Sequence, residues 1–125
     1  MNWQKTPAEL VELFDASLPD DPAVQRRKMF GYPAAFVSGN MFAAMHQSDM
    51  IVRLPKDQYD ELLAIPGAGP FEPMPGRAMT GYAVIPETIL GDPRLVRGWL
   101  ERGFAHAAAM PPKLRKPSAR SRRRA

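Results

Sequence analysis

Turn sequences recur through residues 26–54 at intervals that leave room for strands and little for helices. Ser38-Gly39-Asn40 and Gln47-Ser48-Asp49 each read as a tight turn. Between and after them, residues 41–46 and 50–54 read as strands. Two short connections in succession imply an antiparallel meander, because a parallel pair needs a crossover of a dozen or so residues. Upstream, residues 27–30 and 34–37 are short apolar pieces broken by Gly31-Tyr32-Pro33, and they are expected as one irregular or bulged strand. In residues 50–54, alternation sends Met50, Val52 and Leu54 to a core and turns Ile51 and Arg53 to the other face.

Helical patterns bracket this meander. Thr6-Pro7-Ala8-Glu9 reads as a capping box with proline at the first helical position. Leu10, Val11, Phe14 and Leu18 follow at helical spacing, and Pro19 ends the run. Pro55 opens a short helix over 56–64 with Tyr59, Leu62 and Leu63 inward. Residues 65–78 are too rich in proline and glycine to be regular, apart from an edge strand around 71–73, and 79–85 is the last strand. Asp92-Pro93 repeats the cap-plus-proline signal before a long helix with a stripe of Leu95, Val96, Trp99, Leu100, Gly103, Phe104 and Ala107. Gly98 and Gly103 each cost that helix about 1 kcal/mol relative to alanine, so both are expected to mark close packing. The expected order is α-βββ-α-ββ-α. It describes an α+β two-layer sandwich whose antiparallel sheet has helices packed on one face.

Charge divides the chain in two. Of 125 residues with a net charge of +4, the last fifteen hold seven of the 17 basic side chains and no acid. The remaining 110 carry a net of −3. Residues 1–110 are therefore expected as one folded domain and 111–125 as a disordered basic tail. Lys113, Arg115, Lys116, Arg120, Arg122, Arg123 and Arg124 are candidate nucleic-acid contacts. With no aromatic residue among them for base stacking, that binding would be sequence-tolerant. Cysteine is absent, which excludes disulfides, thiolate nucleophiles and cysteine-based metal sites. The first residues lack the apolar core of a signal peptide, and no apolar run approaches the length of a membrane span, so a cytoplasmic, membrane-free protein is expected.

Catalytic signatures are missing too. There is no phosphate-binding loop and no nucleophile elbow, and Gly67-Ala68-Gly69-Pro70 opens no helix. His46 and His106 sit in no metal-ligand spacing and read as ordinary surface or half-buried histidines. Asp60 and Glu61, adjacent on a helix, point in different directions. No catalytic residue, cofactor or metal is expected. Arg26-Arg27-Lys28 could form an anion-binding edge, but a charged edge strand that resists pairing is the preferred reading.

Lys28-Met29-Phe30-Gly31, Met41-Phe42-Ala43, the strand 50–54, Pro70-Phe71, Met74, Gly76-Arg77, Met79, Tyr82, Pro86 and Asp92-Pro93 form an ordered set over roughly residues 10–110. In that set the chain resembles the N-terminal domain of the TfoX/Sxy family, named for regulating DNA-transformation competence. The resemblance implies a two-layer α+β sandwich and brings no catalytic residues with it. Tyr32-Pro33 stands where the family often has a second glycine, so the loop is expected to differ. The expected function is a non-enzymatic regulatory module that binds a protein partner through Lys28, Phe30, Gly31, Tyr32, Phe71 and Arg77. An edge strand would also permit a homodimer. The alternative is a nucleic-acid binder acting through the tail.

Overall fold

A computed structural model describes residues 6–74 and 76–112. The elements in chain order are α1 (Ala8–Ser17), β1 (Gln25–Met29), β2 (Tyr32–Val37), β3 (Asn40–His46), β4 (Asp49–Arg53), α2 (Lys56–Leu63), β5 (Gly69–Pro70), β6 (Tyr82–Val84), α3 (Glu87–Leu90) and α4 (Pro93–Ala108). All the strands pair antiparallel in one open sheet ordered β1-β2-β3-β4-β6-β5. The α+β sandwich is the observed fold.

The irregular strand expected over residues 27–37 is instead a complete hairpin. Met29 pairs with Tyr32, leaving Phe30-Gly31 as a two-residue turn. Both turn residues take positive φ, 55° and 84°, as the twist of a tight hairpin demands. Ser38-Gly39 repeats the device at 52° and 79°. The bulge lies elsewhere: Ala35 pairs with Ala43 but Phe36 with Met41, so Phe42 is the extra residue on β3. The last strand is shorter than expected, and the four-residue α3 had no clear sequence signal.

The four helices cover one face. Phe14, Leu62, Ile89, Val96, Trp99 and Leu100 meet Ala35, Phe42, Ala43, Met45, Met50 and Val52 in the main core. The bulge is what lets Phe42 and Ala43, neighbours in sequence, both face this side. There Phe42 packs edge-on against Phe104, ring centroids 5.5 Å apart. Alternation correctly puts Ile51 on the opposite face, yet that face is also dry: Ala34, Met41, Ala44, Ile51, Phe71 and Tyr82 form a second buried cluster. Its cover comes from the chain beyond β5, where Phe71 donates its N–H to Tyr82 and accepts from Met79.

Two local expectations change. Thr6 is buried and caps nothing; its hydroxyl donates to the Gln47 carbonyl at 2.7 Å, and Pro7 is the N-cap without a side-chain bond. Only one of the two α4 glycines packs closely. A Cβ on Gly103 would meet Val52 Cγ2 at 2.6 Å and the Phe42 and Arg53 carbonyl oxygens at 3.0 and 3.1 Å, whereas one on Gly98 would meet nothing within 4 Å. The Asp92 cap is as expected, its side chain accepting from the Arg94 N–H at 3.0 Å.

Candidate interaction surface

The β1–β2 turn, the end of β3 and the residue after β5 converge on one imidazole. His46 closes β3 on the second face of the sheet. Around its ring stand Tyr32 at 5.2 Å, Phe71 at 5.3 Å and Phe30 at 6.2 Å between centroids. Tyr32 and Phe71 are buried there, while Phe30 is 61% exposed. The arrangement is an aromatic patch with a sunken base and one raised ring. Asp49, paired with His46 across the β3–β4 ladder, has its carboxyl pushed above the usual range by burial, against an opposing pull from His46.

Phe30 holds this position against its own backbone preference. A positive φ is unusual for a bulky residue, and asparagine or glycine is the ordinary occupant of such a turn. Gly31, at 84°, is the residue that the geometry calls for.

The other candidate contacts are not among the rings around His46, and by alternation Lys28 lies on the Arg26 side of β1. Lys28 is exposed on the edge strand β1, and Arg77 is exposed in the turn where its N–H donates to the Met74 carbonyl at 2.9 Å. Near that turn Met74 is 54% exposed. The basic run on β1 divides between the faces. Arg26 forms a two-pronged pair with Asp15 of α1, at 2.6 and 2.9 Å, while the Arg27 guanidinium lies 5.3 Å from the Phe36 ring on the opposite face. With β1 at the sheet margin and its first four residues exposed, the edge carries charge where another strand would pair. The tail residues Lys113, Arg115, Lys116, Arg120, Arg122, Arg123 and Arg124 lie outside the described residues.

His46 is the hub that sequence reasoning missed. Its only local signal is its place at a strand end beside a turn, since its neighbours come from positions 30, 32 and 71. Among the described residues, no group of three or more His, Asp or Glu side chains could hold a metal ion, and no helix is long and apolar enough to cross a membrane.

The TfoX N-terminal domain model matches residues 13–107, from within α1 to near the end of α4. No curated protein and no solved structure matches the chain. The match spans most of the chain and every strand of the sheet, and the chain belongs to the TfoX N-terminal domain family.

Proposed function

We propose that the domain is a non-enzymatic, cytoplasmic regulatory module of the kind the competence regulators exemplify, binding a protein partner through Phe30 and the aromatic base beneath it. The observation that carries this reading is Phe30 itself, a large apolar side chain presented to solvent from a backbone conformation that costs energy to hold. Strain of this kind, of order 1 kcal/mol, persists where another requirement outweighs it. An exposed aromatic over a packed base also fits the anchor residue of a protein interface. Lys28 and Arg77, outside the ring cluster, would act on encounter more than on affinity. The charged edge of β1 favours a different protein over a second copy as partner.

The test exploits the strain. Phe30→Asn creates the Asn-Gly sequence that a positive-φ turn prefers, so it should hold or raise stability while removing the anchor. A photo-crosslinking residue placed at position 30 of the full chain in its native cell should give a discrete protein adduct. One at Thr88, exposed on α3, should not. Equal labelling from both positions would remove the reading, as would unchanged partner binding by Phe30→Asn.

A second reading rests on the seven bases of residues 113–124. Nucleic-acid binding through them would disappear when the chain is cut after Pro112, together with its salt dependence, a slope in log K against log salt of about −0.9 per phosphate contact on duplex DNA. The cut belongs after Pro112 because buried Asn40 donates from its side-chain amide to the Pro111 carbonyl at 3.1 Å. Equal binding by the full and shortened chains would exclude this reading.

A further inference from the structure

A cleft of about 530 Å3 opens where the end of β4, the start of α2, residues 78–81 and the last turn of α4 meet. Its charged lining is all of one sign. Arg53 and Lys56 border it, beside His106, Tyr59, Met79 and Thr80, and among the described residues no carboxylate does. Lys56 at the rim is already paired with Asp60 at 2.8 Å. Arg53 has no carboxylate within ion-pairing distance among the described residues, although Arg26 and Arg102 both do.

Arg53 is also held in place. Its stem runs past Gly81, where a Cβ would lie 3.9 Å from its Cγ and Nε, and its guanidinium sits 5.6 Å from the Tyr82 ring centroid. Tyr82 is anchored in turn, its hydroxyl donating to the Met41 carbonyl at 2.9 Å. A fork fixed in this way loses little freedom on gripping an oxyanion. His106 stands half-buried across the cleft, and burial, with the Arg53 charge as a lesser cause, holds its pKa below the ordinary value. That favours the neutral ring, which still carries one N–H to donate.

The rest of the lining selects the body of the ligand. Most of the exposed lining is apolar, and the volume is in the range that takes a whole small molecule. A multiply charged phosphate would need more donors than one fork and one imidazole supply. The chain's own terminal segment, with seven bases and no acid, has the wrong charge to fill the cleft.

We propose that this cleft binds a small organic carboxylate with an apolar body, the carboxylate gripped by the Arg53 fork and hydrogen-bonded by His106, and the body lying against Tyr59 and Met79. The site uses none of the aromatic residues around His46, so it stands or falls separately from the partner surface.

The experiment is a backbone-amide NMR titration of the full chain with benzoate, phenylacetate and hexanoate, each matched by its neutral amide. The acids should move signals from residues 53–59, 79–81 and 106 saturably, and the amides should not. Arg53→Gln should weaken binding about tenfold or more, as expected for loss of a charge-assisted hydrogen bond. Should Arg53→Gln fail to fold, Arg53→Lys and His106→Gln take its place. Lysine keeps the charge without the fork, so binding should still weaken. Four results would overturn the assignment: acids and amides acting alike, shifts confined to the basic tail, no saturable shift up to about 10 mM, or full affinity in the folded variants.

Discussion

A methyl group added at Gly103 would land 2.6 Å from Val52 Cγ2, inside any tolerable carbon–carbon contact, with backbone oxygens close on two sides. Neither the helix nor the sheet can yield without opening the core between Phe42 and Phe104. Gly103→Ala should therefore cost about 1–3 kcal/mol, the usual range for overpacking. Gly98 is exposed on the same helix with open space around it, so Gly98→Ala should stabilise by about 0.5–1 kcal/mol through helix propensity alone. Urea unfolding of the two variants decides it, and shifts of the same sign would contradict the packing described. Helical spacing already separates the two glycines, since Gly103 lies on the apolar stripe and Gly98 does not. What the stripe could not show is that the backbone at Phe42 and Arg53, distant in the chain, would come so close.

Elements were legible where their signals are local. The Asp92-Pro93 start of α4 and the turns at Ser38-Gly39 and Gln47-Ser48 follow from the chemistry of adjacent residues. Misreadings arose where a tertiary partner competes for the same group. Thr6 has the sequence of a cap, yet the Gln47 carbonyl takes its hydroxyl and ties the entry of α1 to the β3–β4 turn. Thr6→Val should accordingly cost about 1–2 kcal/mol by leaving a part-buried carbonyl unpaired. Glu9→Ala, which would break a capping box, should change stability by no more than about 0.5 kcal/mol. Thermal unfolding of both checks this, and a larger loss for Glu9→Ala would restore the cap. The β1–β2 hairpin was hidden for a related reason: phenylalanine is a poor marker for a positive-φ turn, so Phe30-Gly31 read as an interruption within one strand.

At the scale of the whole molecule, neither candidate site occupies one window of sequence. The aromatic patch draws on β2, β3, the turn before β2 and the chain after β5. The cleft needs β4, α2, α4 and residues 78–81 together. Alternation put Arg53 on the face opposite the main core but could not show that Tyr82 and Gly81 would flank it there. The second buried cluster was obscure for the same reason, since its cover arrives from beyond β5. The strand order has a kinetic consequence. β1 to β4 are joined in sequence by two-residue turns, so their ladders close with small loop-entropy costs. The Phe42–Phe104 contact, by contrast, waits for a helix from the far end of the chain to arrive. The meander should then be largely formed at the folding barrier and the docking of α4 should follow it. In stopped-flow measurements Ala44→Gly on β3 should slow folding, whereas Gly103→Ala should mainly speed unfolding. The reverse pattern would place the helix in the nucleus. The molecule would thus assemble its four-strand meander first, with the last helix acting as a latch whose release governs how long the native state survives.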